Sequence, residues 1–165
     1  MNREPVQWEE NDVILREITA EDTEMIVEWR SASGTYRFFK NPRKITREEH
    51  ILWFTQQYMS NMNRFDFIVC TPSGEPVGSA SAVWKPEERK VEVSYLTRPE
   101  CRRQGWAQKA LRAVCRFSQG RWPVREFVAV VHRQNTASAE LIKGQGFTIE
   151  AENGVFCIYR KAAEK

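Results

Sequence analysis

The sequence has no apolar run long enough to cross a bilayer. Its longest strongly apolar stretch, Phe127 to Val131, is five residues, against the roughly 20 of a spanning helix. Met1 to Glu10 lacks the basic start and apolar centre of a secretory leader, so a cytoplasmic location without membrane contact is expected. Cysteine is sparse: Cys70, Cys101, Cys115 and Cys157 form no C-x-x-C pair, which suggests neither zinc nor redox chemistry and leaves buried or idle thiols as the expectation. His50 and His132 are the only histidines and lack H-E-x-x-H spacing, so no metal is expected. Eight Gly and seven Pro are too few for a collagen-like or low-complexity chain, and 12% aromatic content argues against wholesale disorder. There is no internal repeat, Gly/Ser linker or long charge block. A single domain, 1–165, follows, with a core over about 13–160 and some ten dispensable residues at each end.

What is present is a mildly basic globular composition: 41% hydrophobic, 28% charged, net charge +3 and pI near 8.7. That pI lies below the value of about 9 that flags a nucleic-acid-binding domain. The distribution is more informative. Arg98, Arg102, Arg103, Lys109, Arg112 and Arg116 crowd one segment, with Arg121 and Arg125 beyond it. Such a cluster suits a polyphosphate ligand, nucleic acid or solubility alone.

Val13 to Ile18 reads as a strand, followed by a helix start with Thr19 as N-cap and a face of Met25, Ile26 and Trp29. Thr46-Arg47-Glu48-Glu49 is a T-x-x-E capping box opening a second helix through Ile51, Phe54 and Tyr58. Phe65–Cys70, Val77–Trp84 and Lys90–Thr97 form a predicted antiparallel meander. Ala107, Ala110, Leu111, Val114 and Phe117 recur at helical spacing, with Gly120 as the expected stop. Phe127–Val131 is a short buried strand, Asn135–Lys143 a short helix closed by Gly144 and Gly146, and Phe147–Ile149 and Val155–Tyr159 are closing strands. The predicted order is β-α-α-β-β-β-α-β-α-β-β, an α/β domain with a mixed, mostly antiparallel sheet.

The segment Tyr95-Leu96-Thr97-Arg98-Pro99-Glu100-Cys101-Arg102-Arg103-Gln104-Gly105-Trp106-Ala107 runs from a strand through a turn into a helix. Free amides at a helix start attract anions, and Gly105 and Ala107 leave room for phosphate oxygens. Neither G-x-x-x-x-G-K-[ST] nor a G-x-G-x-x-G after a strand occurs, which removes P-loop and Rossmann chemistry. The stretch resembles the R-x-x-G-x-[GA] pyrophosphate loop of the GNAT superfamily of acetyl-CoA-dependent N-acetyltransferases, with Arg102, Gly105 and Ala107 in the defining places. Asn135-Thr136-Ala137-Ser138, Leu141 and Lys143-Gly144-Gln145-Gly146-Phe147 resemble that family's N-x-x-S/A…L…GF segment. Leu15 to Thr19 with Asp22, Trp29 and Arg30 resembles its opening strand and first helix.

The resemblance implies acetyl-CoA as co-substrate. Tyr95, Leu96 and Thr97 would pair with the pantetheine arm, and Arg102, Arg103, Gln104, Gly105, Trp106, Ala107 and Gln108 would cradle the pyrophosphate. Asn135 would contact the pantetheine or simply cap its helix, and the two roles are compatible. The reaction implied is direct attack of a neutral amine on the thioester, with the oxyanion held by backbone N–H groups of residues 95–97. Ile142 stands where many members carry an acid tyrosine, while Ser138 resembles the serine of enzymes that acetylate ribosomal-protein N-termini and would protonate the departing thiolate. Glu92 is a candidate base or a solvated strand residue, and His132 a further candidate base or an ordinary half-buried histidine.

On the acceptor side, Trp29, Arg30, Arg37 and His50 bring aromatic and basic groups together, though helix-face aromatics also read as core. The pattern W-R…I-x-x-E-E-H-x-x-W resembles members that acetylate nucleotide-linked amino sugars in the pseudaminic-acid pathway. The expected partner is thus a small-molecule amine, first an amino-sugar nucleotide, acting on a monomer or homodimer without nucleic acid. A ribosomal-protein N-terminal acetyltransferase, a non-catalytic acyl-CoA-binding module and an RNA-binding domain are the competing readings.

Overall fold

The computed structural model describes residues 3–32 and 34–165. Among these residues eight strands form one sheet: β1 (Gln7–Glu9), β2 (Ile14–Glu17), β3 (Arg64–Cys70), β4 (Pro76–Lys85), β5 (Lys90–Thr97), β6 (Glu126–His132), β7 (Thr148–Asn153) and β8 (Phe156–Ala162). Their spatial order is β1-β2-β3-β4-β5-β6-β8-β7, and every neighbouring pair is antiparallel except β5 with β6. The mixed, mostly antiparallel α/β architecture agrees with the sequence reading, with one strand added at the front.

Alternation along each strand assigns side chains to two layers. Phe65, Phe67, Val69, Val91 and Val93 face the helix α3 (Trp106–Arg121), whose Ala110, Leu111, Val114 and Phe117 close the larger core, and Ile142 of α4 (Thr136–Gly144) joins them. On the opposite face Ile68 and Cys70 pack with Ile26 and Trp29 of α1 (Thr23–Ser31) and with Phe54 and Tyr58. Those last two lie on a π-helical turn, Phe54–Tyr58, that continues α2 (Arg47–Trp53). The expected capping box forms: Glu49 N–H donates to Thr46 Oγ1 (3.1 Å) and Thr46 N–H to Glu49 Oε1 (3.3 Å).

Two expectations are corrected. The N-terminal segment is not dispensable, because Gln7–Glu9 pairs with β2 and the Arg3 side chain is 3% exposed beside the buried Glu17. Gly120 does not end the helix, which continues to Arg121. Gly120 lies under the edge strand's tryptophan, where a Cβ would stand 3.5 Å from the Trp8 ring, in ordinary van der Waals contact. Among the described residues, no helix is long and apolar enough to cross a membrane.

The feature that positions the site is the junction of β5 and β6. They pair at Lys90↔Glu126, Val91↔Phe127 and Glu92↔Val128, and their pairing stops there. Beyond it β5 holds only to β4 through Thr97, while β6 holds only to β8 through His132. A cleft therefore opens between two parallel strands, with Glu92 at its closed end.

Candidate active site

The loop after β5 enters α3 through two left-handed residues, Arg103 (φ 64°) and Gly105 (φ 86°). Gly105 is required by conformation rather than crowding, since a Cβ placed on it meets no atom within 4 Å. The first turn of α3 begins with the bond from Lys109 N–H to Gly105 O. The amides of residues 106–108 precede that bond and have no carbonyl partner within the helix, and the positive end of the macrodipole lies on them. Lys109 adds charge nearby, with Nζ 4.5 Å from the centre of the Trp106 ring, and the Trp106 Nε1–H donates to Gln104 Oε1 (3.2 Å). Gln108 is exposed and Ala107 half-buried in the same turn. Arg102 turns away from this turn and donates from Nη2 to the buried Thr35 Oγ1 at 2.8 Å.

Across the cleft, Asn135 caps α4 by accepting the Ser138 N–H at 3.2 Å, so the capping reading is realised. The Ser138 hydroxyl and the Tyr95 hydroxyl are 2.7 Å apart, which joins the β5 arm of the cleft to the α4 arm. Burial pushes the Tyr95 phenol up and the Ser138 bond opposes it only in part, so Tyr95 stays protonated at neutral pH. Ile142, at 1% exposure, belongs to the core. Leu96 faces the other layer beside the smaller core, and Thr97 ends the strand.

Glu92 accepts from two lysines: Lys40 Nζ at Oε2 (2.8 Å) and Lys85 Nζ at Oε1 (3.3 Å). Burial pushes its carboxyl up, but the two ammonium groups outweigh that and hold it below the ordinary carboxylate range. Glu92 therefore stays ionised in the neutral range. His132 accepts the Gln134 N–H on Nδ1 (3.1 Å), its ring between Phe38 and Phe156.

The face of the sheet opposite α3 carries the proposed acceptor groups. Alternation and register put Arg64, Asp66, Ser81, Glu92 and Ser94 on it, with the Ser81 and Ser94 hydroxyls bonded to each other. His50 of α2 is buried, its Nε2 has no hydrogen-bond partner among the described residues, and its ring lies 5.4 Å from that of Trp53. Burial, then the Arg30 charge, pushes the His50 imidazole down. Arg30 carries a buried Nε that is likewise unpartnered, and its guanidinium stacks 4.7 Å from the centre of Phe39. Arg37 is exposed over Phe38. Trp29 is placed differently: at 4% exposure it packs with Ile26, Phe54 and Tyr58 and acts as core. Sequence reasoning missed Lys40 and Lys85, which loop closure and strand register bring to Glu92, and the Arg64–Asp66 pair, which the register of β3 puts on the same face.

Residues 12–148 match the family described as acetyltransferase (GNAT) domain. The chain belongs to the GNAT acetyltransferase family. A relative from Methanocaldococcus jannaschii, the uncharacterized protein MJ1062, is 35% identical over 78 residues, 46% of this chain. The matched part is only 15% of that relative's length. Two solved structures share the GNAT fold. Spermidine N-acetyltransferase from Vibrio cholerae, in complex with CoA and spermine, has a TM-score of 0.83 at 16% identity and covers 93% of this chain and 97% of its own. The ribosomal L7/L12 alpha-N-protein acetyltransferase RimL, in complex with coenzyme A, has a TM-score of 0.75 at 18% identity and covers 95% of this chain and 98% of its own.

Proposed function

We propose that this GNAT domain transfers the acetyl group of acetyl-CoA to the primary amine of a small acceptor that carries anionic groups, an amino-sugar nucleotide in first place. The diphosphate of the co-substrate lies on the amides at the start of α3, and the pantetheine arm runs back along residues 95–97 toward Glu92. Backbone N–H groups of that strand hold the oxyanion. Glu92 takes a proton from the acceptor's ammonium, directly or through water, so that the neutral amine attacks, and Ser138, bonded to Tyr95, supplies a proton to the departing thiolate. A thiol of pKa near 8.5 needs only modest help in leaving.

The observation that carries the choice of acceptor is the pair of buried nitrogens without a partner among the described residues, Arg30 Nε and His50 Nε2, on the same side of the sheet as Glu92. A buried donor left unsatisfied is costly, and a phosphate or sugar oxygen bound there removes the cost. On this face Arg30, Arg64, Lys40 and Lys85 outnumber the carboxylates of Asp66 and Glu92, a balance that opposes a polyamine acceptor of the kind named for the Vibrio cholerae enzyme and favours an anion.

Assays of coenzyme A release over an acceptor panel test this directly. Turnover is expected with nucleotide-linked amino sugars, and Arg30→Met should raise KM for that acceptor by about 10- to 100-fold, the worth of one charge-assisted bond, with acetyl-CoA affinity unchanged. Efficient acetylation of peptide N-termini without activity on amino-sugar nucleotides overturns the choice and moves the chain to the N-terminal acetyltransferase reading. Acetyl-CoA binding without turnover on any amine favours the regulatory module.

A further inference from the structure

Residues 34–45 cross the acceptor side of the cleft as a strap tied at three points. Near one end Arg102 donates to Thr35 Oγ1 (2.8 Å), in the middle the Phe38 ring lies 5.2 Å from His132, and Lys40 Nζ reaches Glu92 Oε2 (2.8 Å). The third tie is chemically distinctive. Lys85, one position beyond the β4 residue that abuts Val91, already supplies Glu92 with a local cation from the neighbouring strand. Lys40 comes from 52 positions away and brings a second. A primary amine thus sits in hydrogen-bond contact with the carboxylate at the closed end of the cleft. From Thr97 back to Glu92 the strand runs five residues, about 16 Å, a length that an extended pantetheine arm also spans.

We propose that Lys40 is an acetylation site of the protein itself, its ε-amine occupying the acceptor's position at Glu92 and taking the acetyl group from acetyl-CoA bound in the same molecule. The proposal rests on reading the cleft as the acetyl-CoA site and Glu92 as its base. In the step, the Lys40 ammonium gives a proton to Glu92, and its lone pair forms a bond to the thioester carbonyl carbon. The carbon–sulfur bond breaks with its electron pair on sulfur. The second N–H proton passes to the thiolate, and Glu92 returns its own proton to water. N-acetyl-Lys40 and coenzyme A are the products, and charge and atoms balance. An acetylated Lys40 has no charge to offer Glu92, so the strap loses one of its three ties and Glu92 keeps Lys85 alone. The modification therefore uncovers the acceptor face for an external amine.

The test incubates the full chain with acetyl-CoA and no other amine, and reads intact mass and peptide maps. One acetyl group per chain on Lys40 is expected, at a rate independent of protein concentration. The rate should be about 100-fold lower in Glu92→Gln, the low end of a general base's contribution. Lys44, exposed on the same strap, is the internal control. Equal labelling of Lys40 and Lys44, or no Lys40 acetylation in a preparation that releases coenzyme A with an added amine, overturns the proposal while leaving the function intact. Absence of acetyl-CoA binding by calorimetry removes the underlying reading and the proposal with it. A second measurement needs no acetyl-CoA: amide hydrogen exchange across 34–45 should quicken in Lys40→Gln and not in Lys44→Gln. Unchanged exchange in Lys40→Gln would mean that the tie holds nothing.

Discussion

His50 shows how one buried side chain ties binding to stability. Burial and the Arg30 charge lower its pKa from an ordinary 6.5, so the folded chain resists a proton that the unfolded chain accepts near that value. Below pH 6.5 the unfolded state then binds more protons, and stability falls with pH until the folded imidazole also titrates; above 6.5 the contribution is flat. His50→Gln removes that slope, so the loss of Tm between pH 7.5 and pH 5.5 should be smaller in the variant than in the parent. Thermal melts at the two pH values decide it, and an identical loss in both proteins would show that His50 is not buried neutral. Residue types at this scale were readable from the sequence, since Arg30 and His50 announce themselves as polar residues within apolar helix faces. Their unpartnered nitrogens were not, because satisfaction of a buried group depends on which distant side chains fold against it.

At the scale of elements, legibility followed periodicity. The spacing of Ala110, Leu111, Val114 and Phe117 and the Thr46–Glu49 box are local signals, and both elements formed as expected. The strap between α1 and α2 has no period, and Thr35, Phe38 and Lys40 meet partners whose positions only the closed sheet determines. Gly120 misled because a glycine signals a stop only by composition, and the helix runs one residue further to Arg121. Gly78 is the more consequential case. It pairs with Thr97, and a Cβ there would stand 2.3 Å from Leu96 O and 3.2 Å from Thr97 Cα, both backbone. Gly78→Ala must therefore push β5 away from β4 along the segment proposed to hold the pantetheine. A loss of about 1–3 kcal/mol of stability is expected, as for other overpacked sites, together with weaker acetyl-CoA binding. Gly144→Ala, whose Cβ meets nothing within 4 Å, should cost neither. Denaturant titration and calorimetry on both variants measure this. Full acetyl-CoA affinity in a folded Gly78→Ala protein would remove residues 96–97 from the binding strand.

At the scale of the whole molecule, the N-terminal segment locks the sheet to the layer that carries the acceptor groups. Arg3 donates through Nη1 to the carbonyls of Tyr58 (2.7 Å) and Asn61 (2.9 Å), and through Nη2 to that of Arg64. Its Nε lies 2.7 Å from Glu17 Oε2, but the N–H is not aimed along that line, so the contact is ionic rather than a hydrogen bond. Glu17, at 1% exposure, is otherwise fully engaged: Oε1 accepts the Val6 N–H (3.0 Å) and Oε2 the Tyr58 hydroxyl (2.6 Å). That hydroxyl also accepts the Asp66 N–H at 2.9 Å, so one buried network joins the N-terminus, β2, the end of α2 and β3. Arg3→Met removes the cation that, among the described residues, alone contacts this buried carboxylate, at an expected cost of about 3–5 kcal/mol. In Arg3→Met/Glu17→Gln the stranded charge is gone, and part of that loss should return: the amide oxygen can still accept the Val6 N–H, while its NH2 can only donate toward the Tyr58 oxygen and the three carbonyls left by Arg3 stay unpaired. Urea titrations of the parent, both single variants and the double variant measure the coupling. A cost below about 1 kcal/mol for Arg3→Met, the range of exposed ion pairs, would mean that water reaches Glu17 and that the N-terminal segment only rests on the domain.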